Sequence, residues 1–306
     1  MFRRCTTSRR RSPRAAGALL ILAIFGPAIA FARDGLDLEI KTNGPIIDAE
    51  RGVQKFLVGS AVQQGANAIE VLLPDSYTKE KQYRVLYVLP VETGLGDKYG
   101  DGMKEVRKLD IHNKHDLICV HPTFDSLPWY ADHKSHVQRH HAVYLNQIVV
   151  PLIEKHYSTP KTREGRLLLG YSKSGWGAFS LLLRNPDFYG AAAAWDSPFS
   201  YAEYAKWPKG WTDPFGGEET FKSSCPLLLL DANAKHFKDG PPRFVLLGSA
   251  NFKNDTQLMH TRMTELGIAH TFDDTLKLKH DWHSGWVAPA VDYLLNLDKT
   301  KVKGTR

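Results

Sequence analysis

The order of apolar segments predicts an α/β protein with a doubly wound, mostly parallel sheet and helices on both faces. The run Tyr83–Leu89 (YRVLYVL) is apolar almost throughout, which is typical of a parallel strand covered on both sides. Strand-like and helix-like segments then alternate along the chain, as a doubly wound sheet requires. Ligands in such sheets bind at the carboxyl ends of the strands, so polar residues that follow strands are the candidates for chemistry.

The other elements are predicted from apolar periodicity and turn residues. A first pair of strands, antiparallel at the sheet edge and separated by a turn at 63–67, is expected at Gln54–Ser60 and Ala68–Leu73. Further strands are expected at Leu117–Val120, Leu167–Leu169, Ala191–Trp195, Phe244–Leu247 and Ala269–Phe272. Helices are expected at Met103–Leu109, His141–His156, Gly175–Arg184, Thr256–Leu266 and Val287–Leu297. The aromatic, Gly- and Pro-rich segment 199–225 is interpreted as a small cap over a pocket.

Residues 1–32 differ in character from the rest of the chain. Six arginines precede an uncharged apolar run, 15–32, that ends in small-x-small cleavage sites, which predicts a secretory signal peptide and an exported domain at 33–306. A retained anchor is the alternative, but Gly26-Pro27 interrupts the run, which is short for a bilayer span. Without this segment 34 basic residues face 33 acidic ones. The balance gives no reason to expect a nucleic-acid partner, and we expect no stable membrane insertion after cleavage. Cys119 and Cys225 then remain, either as one disulfide or as two buried thiols.

The stretch LLLGYSKSGWGA, residues 167–178, reads as a strand, a tight turn with Ser172 at its apex and a helix. This is the layout of a nucleophile elbow, although Ser174 stands where the G-x-S-x-G pattern has its second glycine. The N–H of Lys173 would face a developing oxyanion. A second donor is expected from the loop after Tyr83–Leu89, at Val91 or Glu92.

A nucleophilic serine needs a base, and in this kind of fold the histidine follows the serine late in the chain. The loop after the last predicted strand holds His280 and His283, and either could serve. Such a mechanism requires neither a metal nor an organic cofactor. His136 and His140, one helical turn apart, are an alternative zinc pair, but no cysteine or H-E-x-x-H pattern accompanies them.

Three segments resemble the esterase D-like group of α/β-hydrolases, which also contains feruloyl esterases, enterochelin-type esterases and mycolyltransferases. They are 170–178 (GYSKSGWGA), 183–189 (LRNPDFY), and the histidine loop His280-Asp281-Trp282 with Trp286. The resemblance implies the α/β-hydrolase fold, with Ser172 as nucleophile and His280 as base. Leu278-Lys279 replaces the glycine pair that the group has before its histidine, and Pro90-Val91-Glu92 replaces its His-Gly after the first core strand.

The resemblance also implies an acid in the turn after Phe244–Leu247. Asn251 occupies the usual place, and Asp255 is the nearest carboxylate in that loop, so Asp255 is the predicted acid. It also directly precedes the predicted helix at Thr256, where an aspartate would act as an N-cap. Further carboxylates left open as alternatives are Asp231, Asp273 and Asp274.

These observations predict an exported serine esterase that cleaves a small-molecule or carbohydrate ester through an acyl-enzyme, with Trp282 in the pocket wall. Two other functions use the same residues or the same fold. One is acyl transfer to an alcohol. The other is a non-catalytic binding protein in which the catalytic residues have decayed.

Overall fold

The computed structural model describes residues 36–207, 213–248 and 250–297. Its strands are β1 (Lys41–Asp48), β2 (Val53–Ser60), β3 (Gln63–Leu72), β4 (Val85–Val88), β5 (Ile118–Pro122), β6 (Arg166–Tyr171), β7 (Ala191–Trp195), β8 (Phe244–Leu247) and β9 (Thr271–Asp273). Its helices are α1 (Gly102–Lys108), α2 (Ile111–Lys114), α3 (His141–Val143), α4 (Val150–His156), α5 (Ser172–Arg184), α6 (Glu218–Lys222), α7 (Pro226–Asn233), α8 (Lys253–Glu265) and α9 (Val287–Leu295). The predicted signal peptide at 1–32 lies outside the described residues.

The strands form one sheet in the order β1-β2-β3-β5-β4-β6-β7-β8-β9. Pairing is antiparallel from β1 to β5 and parallel from β5 to β9. The predicted mostly parallel sheet with an antiparallel edge is therefore confirmed. Because β6, β7, β8 and β9 lie side by side and run in the same direction, the loops after them meet at one edge of the sheet.

The antiparallel edge differs from the prediction in two ways. An additional strand, β1, pairs outside β2. Residues 63–67, predicted as a turn, belong to β3, and the reversal occurs at Ala61 and Val62. Gln63 and Asn67 are buried in this strand, and each side-chain amide donates to a nearby backbone carbonyl. These bonds satisfy the amide donors of both side chains, whereas Oε1 of Gln63 is buried without a partner among the described residues.

Two hydrophobic clusters cover the two faces of the sheet. One contains apolar side chains of α4, α5, α7 and α8, and the other contains those of α1, α2 and α9. In α9 the buried residues recur at helical spacing, at Val287, Ala290, Val291 and Leu294. Burial of such a side chain contributes roughly 2 kcal/mol. Cys119 and Cys225 are buried free thiols that lie in different clusters, so the disulfide alternative is wrong.

The predicted helix His141–His156 is continuous but changes type along its length. A π-helical segment, Tyr144–Val149, separates α3 from α4. Pro151 lies at the start of α4 and has no N–H to donate to the preceding turn. The wider π-helical turns therefore lie directly before the residue that cannot donate a helical hydrogen bond.

The predicted cap contains a 3₁₀ turn, Tyr204–Lys206, and the short helix α6. Its aromatic side chains pack against the loop after β5 and the first turns of α5: Trp207 lies 4.7 Å from Trp129 and Phe215 lies 5.7 Å from Trp176, between ring centroids. Trp211, counted with the cap, lies outside the described residues. In the described part of the chain, no helix combines the length and hydrophobicity that a bilayer span needs.

Candidate active site

Ser172 lies at the junction of β6 and α5, as the elbow pattern predicts. Its φ angle is +50°, in the left-handed region that residues other than glycine rarely adopt. Such a conformation costs about 1–3 kcal/mol and persists where the surrounding structure imposes it. The strand before Ser172 and the helix after it impose it here, and the residue keeps 8% of its surface exposed at the carboxyl edge of the sheet.

Ser174, the departure from the elbow pattern, closes the turn. Its Oγ accepts a hydrogen bond from the Tyr171 N–H at 3.0 Å and donates to the Tyr171 carbonyl at 2.9 Å. The close approach that demands glycine falls one residue later. A Cβ on Gly175 would lie 2.1 Å from the Ser197 Oγ, on the loop after β7. The serine therefore fits because the tight contact occurs at position 175.

His280 is oriented by a carboxylate that the sequence did not indicate. Its Nδ1 lies 2.6 Å from Oδ2 of Asp196, the residue that directly follows β7. Oδ1 of the same carboxylate accepts the N–H of Phe252 at 2.6 Å, and Asp196 has no exposed surface. The two hydrogen bonds offset the cost of burying the carboxylate. Because a carboxylate accepts, Nδ1 carries the proton and Nε2 is left as an acceptor.

The expectation that Asp255 orients His280 is not met in this geometry. Helix α8 begins at Lys253, so Asp255 lies in its first turn, and its Oδ1 accepts both the N–H and the Oγ–H of Ser200. Two of the other three candidates are also engaged elsewhere: Asp231 pairs with Arg262, and Asp273 accepts from Thr275 and Tyr293. The hydrogen bond that His280 Nδ1 makes among the described residues goes to Asp196 and not to Asp274.

His283, the alternative base, has both ring nitrogens engaged away from Ser172. Its Nδ1 lies 2.8 Å from Oε2 of the buried Glu105, and its Nε2 accepts the Asp101 N–H at 3.2 Å. The arrangement joins the histidine loop to α1. We therefore interpret His283 as a residue that stabilises the contact between the histidine loop and α1, and His280 remains the candidate base.

Aromatic rings surround His280. Tyr171, Tyr99 and Phe252 lie with ring centroids 5.2 to 5.7 Å from the imidazole. Trp282 is buried against Tyr171 and Trp195, and its backbone N–H donates to the Tyr99 carbonyl. It lines a small cavity, about 10 Å³ in volume, with Val91, Gly100 and His121. Ser172 and His280 are not among the lining residues of this cavity. Trp282 contacts the site through the ring of Tyr171, the residue before Ser172.

The two expected oxyanion donors lie in positions that leave their N–H groups available. Lys173 is in the first turn of α5, where helical N–H groups have no partner within the helix. The Val91 N–H makes no hydrogen bond to any residue that the structure describes. Of the two loop candidates, Val91 is buried and Glu92 is half-buried, with its Oε2 enclosed. Burial lowers the pKa of the Lys173 ammonium, which lies 6.0 Å from the centre of the Tyr99 ring.

The alternative zinc pair does not converge. His136 is exposed, and the Nε2 of His140 is bonded to the His133 carbonyl. Over the described ranges, no three His, Cys, Asp or Glu side chains are grouped as metal ligands.

The sheet order, the strand-turn-helix at Ser172 and the convergence of His280 and Asp196 define an α/β-hydrolase fold. The Esterase family model matches residues 60–241, more than half of the chain, and the protein belongs to this esterase family. No curated protein sequence matches the chain.

Solved structures agree with this fold. The serine hydrolase FphF of Staphylococcus aureus matches with a TM-score of 0.65 and 18% identity, over 80% of this chain and 98% of its own. A ferulic acid esterase matches with a TM-score of 0.60 and 18% identity, over 86% and 99%. An S-formylglutathione hydrolase from Agrobacterium tumefaciens matches with a TM-score of 0.60 and 16% identity, over 85% and 99%. At these identities the likeness shows the fold.

Proposed function

We propose that this protein is an exported serine esterase that hydrolyses a carboxylic ester through an acyl-enzyme. The observation that carries the proposal is the bond between His280 and the buried Asp196 at the sheet edge where Ser172 stands in a left-handed turn. A serine at an elbow, an imidazole and a carboxylate that fixes its tautomer are the three groups that acyl transfer needs. Membership of the esterase family supports the same chemistry.

In the proposed mechanism, Ser172 Oγ attacks the ester carbonyl while Nε2 of His280 takes its proton. Asp196 stabilises the imidazolium that forms and keeps the ring in the required orientation. The N–H groups of Lys173 and Val91 bind the oxyanion of the tetrahedral intermediate. His280 then protonates the leaving alcohol, and water attacks the acyl-enzyme by the reverse sequence of proton transfers to release the acid.

The substrate class follows from the surroundings of the site. The half-buried rings of Tyr99 and Phe252 beside His280 favour an ester with a bulky aromatic or sugar part. One structural relative is described as a ferulic acid esterase, which is consistent with this class. The composition of residues 1–32 supports export, with 33–306 as a single domain.

A fluorophosphonate probe tests the proposal directly. The purified chain should be labelled, and Ser172→Ala should abolish labelling. Ser126→Ala is the matched control, because the Ser126 Oγ also lies beside an imidazole, 3.0 Å from the Nε2 of His141, outside the proposed site. Labelling of the Ser126→Ala protein should equal that of the wild type.

A substrate screen then separates the alternatives. Nitrophenyl esters of several chain lengths, feruloylated sugars and acetylated sugars are assayed for acid release, with and without a competing alcohol. Hydrolysis supports the esterase, whereas a predominant ester product would identify an acyltransferase. A folded protein that is neither labelled nor active on any of these esters would be a binding protein, and the proposal would be rejected.

A further inference from the structure

The buried hydroxyl of Tyr130 is bonded to the loop that carries the second oxyanion donor. Tyr130 Oη donates to the Pro90 carbonyl at 2.6 Å, across 40 positions of sequence, and Tyr130 has no exposed surface. Burial raises the pKa of this phenol well above its ordinary value, so the hydroxyl stays protonated and remains a donor. The mechanism above does not use this residue.

A planar peptide transmits this contact to Val91. The Pro90 carbonyl and the Val91 N–H belong to one peptide unit, which is rigid, and in a trans unit the two groups point in opposite directions. A hydrogen bond that holds the carbonyl therefore also holds the N–H. The Val91 N–H has no hydrogen-bond partner in the described chain, so the bond from Tyr130 acts on an otherwise unrestrained donor.

Tyr130 is itself held in place by α5, the helix that begins at Ser172. Its φ angle is +55°, a strained value for tyrosine. Its ring lies so close to Gly177 that a Cβ there would be 2.0 Å from the Tyr130 Cδ2. The half-buried Arg184, at the end of the same helix, donates to the Tyr130 carbonyl. Helix α5 thus fixes Tyr130 from two points along its length.

We propose that Tyr130 is a positioning residue that aims the Val91 N–H at the oxyanion of the reaction. The proposal rests on the esterase function above and extends it. The Lys173 donor belongs to α5, and Tyr130 ties the Val91 donor to the same helix. The two halves of the oxyanion site therefore keep a fixed relation to each other and to Ser172, and such preorganisation stabilises the transition state more than the ground state.

Tyr130→Phe tests the proposal, with Tyr144→Phe as the matched control. Both tyrosines are fully buried, and both rings meet Phe124 edge-on at 5.4 Å, but the Tyr144 hydroxyl is buried without a partner among the described residues. We expect Tyr130→Phe to lower kcat by about tenfold with KM little changed, less than the 100- to 1,000-fold that follows removal of an oxyanion donor. The affinity of a boronic acid inhibitor, which mimics the tetrahedral intermediate, should fall by the same factor. Tyr144→Phe should leave both quantities unchanged.

A double-mutant cycle asks whether Tyr130 acts through Val91. Val91→Pro removes the N–H, so adding Tyr130→Phe to it should cause no further loss of kcat. Should Val91→Pro fail to fold, the boronic acid affinities of the two tyrosine variants decide the question.

The proposal is overturned if Tyr130→Phe keeps the wild-type kcat and boronic acid affinity, or if Tyr144→Phe loses as much. A rise in KM at constant kcat would likewise overturn it, since it would mark a role in substrate binding. An active wild-type protein with an unaffected Tyr130→Phe variant rejects this inference alone. An inactive, unlabelled wild type rejects the esterase function itself.

Discussion

Nδ1 of His280 lies 2.6 Å from Oδ2 of Asp196, a carboxylate with no exposed surface that directly follows β7, the strand next to β6. The three groups come from β6, β7 and the loop after β9, which the parallel sheet brings to one edge. Ser172 and Asp196 both adopt left-handed backbone angles, +50° and +45°, directly after their strands. Two neighbouring strands thus end in the same kind of turn, each presenting one member of the proposed triad.

Replacing Asp196 by Asn should lower kcat by roughly a thousandfold or more, because the amide cannot stabilise the imidazolium and favours the wrong tautomer of His280. The amide oxygen can still accept the Phe252 N–H, so the fold should be kept. Steady-state hydrolysis of a nitrophenyl ester measures the effect. Asp255→Asn is the control. Its kcat should stay within about twofold of the wild-type value, because the hydrogen bonds described for the Asp255 carboxylate come from Ser200. The reverse ranking of the two variants would restore Asp255 as the acid.

His280→Gln and His283→Gln should distinguish the residue needed for turnover from the residue that mainly stabilises the fold. We expect His280→Gln to abolish turnover, because the amide cannot act as the base. His283→Gln should keep most of the turnover but reduce the free energy of unfolding by about 1–3 kcal/mol, because it weakens the bonds to Glu105 and to the Asp101 N–H. Urea titration and ester hydrolysis on both variants provide the check. Substantial activity in His280→Gln together with an inactive but stable His283→Gln would make His283 the base.

Arg51→Met should destabilise the fold by about 3 kcal/mol, because it leaves buried acidic groups without their partner. Arg51 bonds to the fully buried Glu70 and lies 2.9 Å from Oδ2 of Asp101. Lys81→Met removes an ion pair with Asp116 in which both side chains are about half exposed, and should change the unfolding midpoint very little. Equal effects of the two substitutions would show that the Arg51 bonds contribute no more to stability than an exposed ion pair does.

The stability of the protein should fall as the pH is lowered from about 6.5 towards 3, and His141 should contribute to this fall. Burial lowers the pKa of His141 from 6.5 to about 3. Between these values the unfolded chain binds a proton that the folded protein excludes, so the stabilisation is complete above pH 6.5 and is lost below it. The slope from this one group is roughly 1 kcal/mol per pH unit.

His141→Gln removes the titrating group and keeps an acceptor for Ser126. It should flatten the dependence of the unfolding free energy on pH, measured by urea titration from pH 4 to 7. His236→Gln changes an exposed histidine and should leave the slope as in the wild type. A slope unaltered by His141→Gln would show that other groups account for the acid sensitivity.

Much of this arrangement can be predicted from the sequence, because it depends on local patterns. Continuous apolar runs such as Tyr83–Leu89 identify buried strands, and the glycines and serines of 170–175 identify the turn at Ser172. Chain order predicts a base late in the chain, at His280 or His283, and the resemblance to the esterase D-like group selects His280.

Asp196 could not be selected in this way, because its partner lies 84 residues further along. The loops after β7 and β8 are neighbours, so a carboxylate from either can reach the same imidazole, and only the spatial arrangement distinguishes them. The available signal was an aspartate immediately after the buried strand Ala191–Trp195. The contacts of Asp255 differ from the predicted ones, because α8 begins at Lys253 and the Asp255 carboxylate accepts from Ser200.

The loop after β8 holds the Asp196 carboxylate through the main-chain N–H of Phe252, a group that every residue except proline supplies. Side chains in this loop are therefore free to change while the proposed Asp196–His280 pair keeps its arrangement. Asn251 is exposed there, one residue before the ring that faces His280. Substitutions at Asn251 should therefore change which esters are preferred and leave the rate of the chemical step unchanged.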